Sequence, residues 1–528
     1  MGGSSQSTAD AEPEASAVDP TASAASESHS TLAALAPIAI IVAIGAILRI
    51  SQIGQSLFAD EMWSYVGATQ PDFGQMLDFV RSDEEITPPL FTALAWLSAK
   101  LGDPTITVRL PGLLAGIATI PLVYALGLRT LGRRVALAAA ALAALSPFLA
   151  WYSIEVRAYA VAIALVTAST LCLLIALERN RTRWWVAYAA LSCAAMYTHY
   201  TAAYPLLAQL VWAFWLHPGS RRSLILANVA AAVAFLPWLP GLQEDLSSPT
   251  QGIIGSLAPL TLDRAIDFTA RFAAGHPAIG LDSFWGTWAE FALACGVAVA
   301  LAGLAVRWRR GEPATEGGGE QRRALGLFMM IAVAAPAATL LVSLVGDNQL
   351  LPRNLATSSS GLILVIAALL CAGPFVYRAV SLTLILGTFA YGAIRTTEQP
   401  LQRPAYGDAA AFIDAEADPD DVVLDIAGIG GGGTGGEPLK PPTFTLDIEL
   451  DRQHNVIDSV DLPAAERALE ESSGNRLFLV GNPYFVAGTR AAIGLGDADP
   501  VTERIYGGLI PLTVLTFEIS ADPSSGDT

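Results

Sequence analysis

The chain has 528 residues, of which 53% are hydrophobic and only 15% are charged. This composition is typical of a multi-spanning membrane protein and excludes an ordinary soluble globule. The formal net charge is −18, with most of the acidic residues in the two ends, which argues against nucleic acid as a partner.

The N-terminal segment and the cysteines offer no motif with a chemical role. Residues 1–31 are rich in Ser, Ala, Asp and Glu and lack a basic region, which predicts a disordered acidic tail and not a signal peptide. The four cysteines lie in apolar segments without metal-ligand spacing. We therefore expect neither a disulfide framework nor a cysteine metal site.

Hydrophobic runs long enough to cross a bilayer recur from residue 32 to residue 395 and then stop. The predicted spans are 32–50, 108–128, 135–151, 156–177, 184–198, 200–216, 223–239, 286–306, 324–345, 354–373 and 378–395. The segment Pro88 to Leu101 is apolar but short for a span, and a re-entrant or interfacial helix is the preferred interpretation. The predicted count is therefore about eleven to thirteen.

Arginines cluster in alternate connections between these spans, for example at 129–134, 179–183 and 307–323. By the positive-inside rule these connections face the cytoplasm. The opposite connections then face outward: 51–87 (the first outer loop), 152–157, 198–200, 240–285, 346–353 and everything after residue 396. The sequence thus predicts a plasma-membrane protein whose C-terminal domain is extracytoplasmic.

After the last span the pattern becomes that of a soluble α/β domain, predicted at 403–520 and followed by a disordered tail at 521–528. A helix is predicted at 406–417 and another at 463–472, and strands are predicted at 421–425, 476–480 and 511–519. The glycine run 430–436 lacks the GK[ST] ending of a phosphate-binding loop, so a flexible loop is expected there.

The first candidate site is the acidic pair Asp60–Glu61, which follows the first span among aromatic residues. Burying carboxylates in such an apolar setting costs free energy, which suggests that they have a role, either as a general base or as metal ligands. A solvated loop whose acids have no role is the alternative. On a helix, Asp60 would share a face with Ser64, and Glu61 with Tyr65.

Three further groups lie at predicted outer connections. Glu155, Arg157 and Tyr159 lie at one corner, where Glu155 and Tyr159 would be one helical turn apart. Glu155 and Arg157 could instead neutralise each other, although side chains two positions apart on a helix do not face each other. His199 and Tyr200 lie at another corner, where a structural histidine is the alternative. Arg353 opens a late span and could simply reach lipid phosphate.

The ordered set of motifs resembles the C-type, multi-spanning glycosyltransferases of family 39, the relatives of protein mannosyltransferases and aminoarabinose transferases. The set comprises the acidic pair, Ser-x-Glu-x-Arg-x-Tyr at 153–159, Thr-His-Tyr at 198–200, Leu-Pro-Trp at 236–238 and the arginine-led late span. The resemblance covers about residues 32–425. Two positions depart from it: Ile154 stands where members often have Gln, and Thr87 where they have His. The second departure puts acceptor-side chemistry in doubt.

The resemblance implies transfer of a sugar from a polyprenyl-phosphate carrier to an acceptor hydroxyl on the outer face of the membrane, with inversion. It makes Asp60 the general base, with Glu61 beside it, and places Glu155, Arg157, Tyr159 and Arg353 around the carrier phosphate. No cofactor is implied with certainty, no metal ligand set is assigned, and a divalent cation stays open.

The acceptor could be a protein, a lipid or a glycan, and the same fold could extend a cell-wall or lipid-linked glycan. A transporter or flippase and a non-catalytic scaffold are the competing interpretations. Transporters tend to show internal repeats and broken spans near mid-membrane, whereas the unusual polar residues here collect on one side.

Overall fold

The computed structural model describes residues 20–82, 85–248, 259–311, 318–426, 445–458, 476–496 and 498–519. The helices as far as residue 247 are α1 (Pro20–Ile50), α2 (Glu61–Ala68), α3 (Phe73–Val80), α4 (Pro89–Ser98), α5 (Pro104–Thr107), α6 (Leu110–Thr130), α7 (Arg133–Leu145), α8 (Pro147–Ile154), α9 (Tyr159–Arg179), α10 (Thr182–Met196), α11 (Ala203–Leu216), α12 (Arg221–Phe235) and α13 (Leu239–Ser247).

The later helices are α14 (Leu262–Ala274), α15 (Leu281–Trp285), α16 (Thr287–Arg309), α17 (Gly318–Ser343), α18 (Pro352–Leu355), α19 (Ser359–Ala372), α20 (Phe375–Arg395), α21 (Tyr406–Glu416), α22 (Thr445–Glu449) and α23 (Pro483–Ala492). The strands are β1 (Val422–Asp425), β2 (Asn455–Asp458), β3 (Arg476–Gly481), β4 (Thr502–Tyr506) and β5 (Leu512–Glu518).

The predicted fold class, a helical multi-spanning membrane protein with a small C-terminal α/β region, is confirmed. Among the described residues, seven helices are long and apolar enough to cross a membrane, or eight if a bent pair counts as one span. This number is lower than the predicted eleven to thirteen. The remaining predicted spans coincide with the apolar part of α1 (Leu35–Ile50) and with α10 and α11, which are shorter than 18 residues.

In the N-terminal half, the structure differs from one expectation and agrees with another. Helix α1 begins at Pro20, inside the segment 1–31 predicted as a disordered tail, because its alanine-rich sequence favours a helix. Helix α4 has ten residues and is not among the candidate spans. At 1.5 Å per residue it is about 15 Å long, half of a bilayer core, which agrees with a re-entrant or interfacial helix.

The span predicted at 135–151 is broken, and the break shapes the site. Helices α7 and α8 meet at an angle of 55°, because Pro147 cannot continue a helix and Ser146 instead caps α8 by accepting a hydrogen bond from the Leu149 amide at 3.3 Å. Arg49 of α1 fixes the bend, donating to Ser153 Oγ at 2.9 Å and to the Ala144 carbonyl at 3.0 Å. The end of α8 is thereby directed toward residues 55–61.

The C-terminal region contains a five-stranded sheet in the order β2-β1-β3-β5-β4. Strand β1 is parallel to β2 and β3, whereas β5 is antiparallel to β3 and β4. Side chains alternate between the two faces. Val423 and Phe478 pack with α21 and α22, while Leu424 and Leu479 lie in the core that contains Val486 of α23.

The helices and strands described in the C-terminal region include most of those predicted from the sequence. The helix predicted at 406–417 is α21, and the predicted strands correspond to β1, β3 and β5. The short strands β2 and β4 and helices α22 and α23 were not predicted. The helix predicted at 463–472, the glycine run 430–436 and the tail 521–528 lie outside the described residues.

The C-terminal region packs directly on the first outer loop. The Arg403 amide donates to Gln55 Oε1 and the Gly407 amide to Ser56 Oγ, both at 3.0 Å. Phe58 lies against the same core as α21 and α22. The sheet region and the acidic pair are therefore parts of one packed structure.

Candidate active site

The acidic pair lies at the start of α2. Ala59, immediately before it, has φ +53°, a left-handed conformation that residues with a side chain rarely adopt. Such strain persists only where neighbouring contacts impose it, and it is concentrated at functional sites. The turn directs Asp60 and Glu61 into different surroundings.

Glu61 is buried in a network of ion pairs and hydrogen bonds. Its carboxylate accepts hydrogen bonds from Arg109 Nη1 at 2.9 Å, from Arg403 Nε at 2.6 Å and from the Val156 amide at 2.8 Å. Burial alone would raise the pKa of Glu61, but Arg109, Arg403 and these hydrogen bonds bring it below its ordinary value. Glu61 therefore joins the first outer loop, α6, the corner after α8 and the C-terminal region.

Asp60 forms an ion pair with Arg353 of α18. The side chains of Asp60 and Arg353 are 40% and 28% exposed, so this pair is accessible instead of being sealed in the core. Burial tends to raise the pKa of Asp60, but the charges of Arg353 and Arg157 outweigh it and lower the pKa. Asp60 is therefore an ionised carboxylate next to two guanidinium groups.

Arg157 forms a second ion pair, with Glu85. Its Nη1 lies 2.7 Å from Glu85 Oε2 and 3.1 Å from Ser64 Oγ. The other oxygen of Glu85 accepts a hydrogen bond from Thr87 Oγ1 at 2.6 Å. Thr87 thus supports the carboxylate that orients Arg157.

Glu155 does not pair with Arg157, and the predicted helical relation to Tyr159 is wrong. Residue 155 ends α8 in an extended conformation (ψ 132°), and α9 begins only at Tyr159. Its Oε2 is buried without a hydrogen-bond partner among the described residues. Burial, followed by the negative charge of Glu61, raises the pKa of Glu155 to about 7.

His199 and the tyrosines form an aromatic wall beside the arginines. The His199 ring lies 5.3 Å from that of Tyr159, which lies 4.8 Å from Tyr152. His199 Nδ1 lies 2.9 Å from Thr201 Oγ1. Burial, with Arg157 and Arg353 adding to it, lowers the pKa of His199 to about 3, so the ring is neutral at physiological pH.

Tyr200 belongs to a different network. Its hydroxyl donates to Asp245 of α13 and accepts a hydrogen bond from Trp238 Nε1 at 2.9 Å. The structure therefore brings Asp60, Arg157, Tyr159, His199 and Arg353 together and places the hydroxyl of Tyr200 on the α13 side.

Three charged residues of this site were missed from the sequence: Glu85, Arg109 and Arg403. Arg109 had a recognisable signal in the sequence, because it begins an apolar run, as Arg353 does, at the end that is predicted to face outward. Glu85 and Arg403 lie in polar segments with no distinguishing periodicity. Within the described ranges, no group of three or more His, Cys, Asp or Glu side chains is arranged to bind a metal ion.

Comparison with known proteins agrees with the resemblance seen in the motifs. Residues 87–242 match the family model described as dolichyl-phosphate-mannose-protein mannosyltransferase. This segment includes Glu155, Arg157, Tyr159, His199 and Tyr200. No curated protein matches the chain.

Three solved structures are similar to this chain over most of its length. ArnT from Cupriavidus metallidurans bound to undecaprenyl phosphate is 13% identical, with TM-score 0.41 and coverage of 92% of this chain and 97% of that chain. AglB from Archaeoglobus fulgidus, in complex with an inhibitory peptide and a dolichol-phosphate, is 12% identical, with TM-score 0.48 and coverage of 87% and 70%. Arabinofuranosyltransferase AftD from Mycobacteria is 16% identical, with TM-score 0.43 and coverage of 93% and 40%.

Proposed function

We propose that this chain, a polytopic glycosyltransferase of the C type, transfers a sugar from a polyprenyl-phosphate carrier to an acceptor hydroxyl on the outer face of the membrane. The observation that carries this proposal is the ion pair between Asp60 and Arg353, with Arg157 close enough to lower the pKa of the same carboxylate. A base and two phosphate-binding cations then lie close together. The matching family model is itself named for a polyprenyl-phosphate sugar donor.

Asp60 is the proposed general base. In a single displacement, the acceptor oxygen forms a bond to the anomeric carbon while the bond from that carbon to the carrier phosphate breaks, which inverts the configuration. Asp60 takes the proton from the acceptor hydroxyl as the new bond forms. The electron pair of the broken bond leaves with the phosphate.

Arg353 and Arg157 are the proposed phosphate ligands. Guanidinium groups fixed by carboxylates offset the charge that grows on the leaving phosphate, and this effect is strong where water is scarce. Arg353 is partly exposed, so an arriving phosphate competes with Asp60 for it. Loss of that partner raises the basicity of Asp60 when the donor is in place.

An apolar groove gives the carrier chain a place to lie. This groove of about 660 Å³ is lined by α3, α4, α10 and α12, including Phe73, Leu77, Leu90 and Tyr197. The Leu90 amide donates to the Tyr197 carbonyl at 2.9 Å. Tyr197, which lines the groove, is two residues before His199, so this part of the groove lies near the corner that contains His199.

We expect Arg353→Ala to weaken binding of undecaprenyl phosphate by about tenfold or more, since a charge-assisted contact is lost. Because Arg353 lowers the pKa of Asp60, its removal should also move the acid limb of kcat/KM to higher pH. Binding is measured in detergent, and transfer with a radiolabelled polyprenyl-phosphate sugar. Unchanged affinity and an unchanged pH profile would remove Arg353 from the site, and a wild-type protein that neither binds the lipid nor transfers sugar would refute the proposed function.

The topology makes a separate prediction, since the proposed reaction requires the C-terminal region to be extracytoplasmic. Glu503→Cys, on the exposed strand β4, should react in intact cells with a membrane-impermeant maleimide. Arg181→Cys, in the exposed connection between α9 and α10, should react only after permeabilisation. The reverse labelling pattern would place the proposed site on the cytoplasmic side.

The proposed reaction leaves open which class of molecule carries the acceptor hydroxyl. The family model favours a protein hydroxyl, while extension of a cell-wall or lipid-linked glycan uses the same chemistry. An acceptor screen with the radiolabelled donor distinguishes them, because the label moves into protein in one case and into glycan or lipid in the other.

A further inference from the structure

Glu155 and Arg403 lie near each other beside the proposed phosphate site and take no part in the ion pairs of Asp60 and Arg157. The Val156 amide, next in the chain to Glu155, donates to Glu61 Oε1 at 2.8 Å. Arg403 Nη2 donates to the same oxygen at 3.2 Å. The Arg403 guanidinium also lies 4.2 Å from the Trp151 ring, and the Trp151 carbonyl accepts from the Glu155 amide at 3.1 Å. These shared neighbours place the backbone of Glu155 close to Arg403, and the charge of Arg403 acts on the Glu155 carboxylate.

Each of these side chains has one polar atom that makes no hydrogen bond to the described residues. Glu155 Oε2 and Arg403 Nη1 are both buried, and neither has a hydrogen-bond partner among the described residues. Arg403 as a whole is 2% exposed. A buried charged group without a partner costs free energy, so such atoms in a native structure require a ligand, an ion or a water molecule to satisfy them.

The two atoms, Glu155 Oε2 and Arg403 Nη1, determine which kind of ligand can bind to both. Glu155 Oε2 accepts a hydrogen bond and Arg403 Nη1 donates one. A bound anion would meet the carboxylates of Glu155 and Glu61, and a bound cation would meet the guanidinium of Arg403. A neutral group that offers a donor and an acceptor on adjacent atoms satisfies both, and two neighbouring hydroxyls of a sugar are such a group.

We propose that Glu155 and Arg403 form a subsite for a vicinal diol of a sugar, in which one hydroxyl donates to Glu155 Oε2 and the other accepts from Arg403 Nη1. This proposal rests on the proposed function, because the reaction brings a sugar to the neighbouring phosphate site. The diol belongs either to the sugar on the carrier or to a glycan acceptor. Arg403, which leads into α21, gives the C-terminal region a direct part in sugar recognition.

The experiment compares variants of the full-length protein in detergent. Glu155→Ala removes the acceptor atom, and Glu155→Gln keeps the shape without the charge. Arg403→Lys keeps a cation beside Glu61 but lacks Nη1. Glu178→Ala is the control, since that carboxylate is 59% exposed and pairs only with Arg129 among the described residues. Thermal unfolding establishes that each variant is folded.

The probes are undecaprenyl phosphate alone and undecaprenyl phosphate carrying mannose, galactose or arabinofuranose. If the diol is on the donor, Glu155→Ala and Arg403→Lys weaken binding of a sugar-bearing probe about tenfold and leave binding of the bare lipid unchanged. If the diol is on the acceptor, both variants bind every probe normally and raise the KM for a glycan acceptor about tenfold. Glu155→Gln should show a smaller change in the same quantity.

Equal binding of every probe and an unchanged acceptor KM in all three variants would overturn the diol subsite and leave a water molecule as its occupant. This result differs from failure of the proposed function, in which the wild-type protein does not bind undecaprenyl phosphate.

Discussion

Replacement of Asp60 by Asn should reduce sugar transfer by about 10²- to 10⁴-fold, the range attributed to general base catalysis. Asn has nearly the same shape but cannot take the proton from the acceptor hydroxyl. The variant should remain folded, because the Asp60 side chain is 40% exposed and its ion pair with Arg353 is not sealed in the core. Transfer is measured with a radiolabelled polyprenyl-phosphate sugar, and folding by size-exclusion chromatography and thermal unfolding.

The matched control for this variant is Asp78→Asn, which changes an exposed carboxylate on α3 of the same outer loop. It should leave transfer unchanged. Donor binding distinguishes the base from a phosphate ligand: Asp60→Asn should bind undecaprenyl phosphate at least as well as the wild type, since Arg353 no longer has a competing carboxylate. Wild-type turnover by Asp60→Asn would refute the mechanism and favour a non-catalytic scaffold.

The sequence predicted where the helices lie because hydropathy is a local signal. Runs of apolar residues located α6, α9 and the later spans. The break at Ser146–Pro147 was not predicted, although proline is a known helix breaker, because hydropathy averaged over a span does not register a single proline. The side of the membrane and the C-terminal elements were predicted from charge and periodicity. These are properties of neighbouring residues in the chain.

The pairing of charges in the site had no such local signal. Arg353 meets Asp60, Arg403 meets Glu61 and Arg157 meets Glu85 across 293, 342 and 72 positions of the chain. Motif order identified Asp60, Arg157 and Arg353 as candidates, but which arginine faces which carboxylate depends on how the helices pack. The resemblance distinguished Asp60 from Glu61 in their expected roles, but only the packing shows that the Asp60 side chain is partly exposed and that of Glu61 is enclosed.

Because Glu61 is enclosed, we expect its replacement to lower the stability of the folded protein. Glu61→Ala leaves the guanidinium groups of Arg109 and Arg403 buried without a carboxylate, and both side chains are fully inaccessible. Removing one partner of a buried ion pair costs about 3–5 kcal/mol of folding free energy. We expect the variant to unfold at a markedly lower temperature in detergent, whereas Glu178→Ala, which breaks an exposed pair, should cost at most about 1 kcal/mol.

The contribution of Glu61 to folding stability should depend on pH in a definite direction. The folded protein lowers the pKa of Glu61 below its ordinary value of 4.5, so the ionised carboxylate stabilises the fold above that value. The stabilisation is lost as the pH falls through the lowered pKa, and the difference in stability between wild type and Glu61→Ala should shrink there. Glu61→Gln, which keeps the shape, distinguishes a structural role from a catalytic one. A Gln variant with wild-type stability but no transfer would assign Glu61 to the reaction, while loss of stability makes it the residue that joins the C-terminal region to the catalytic loop.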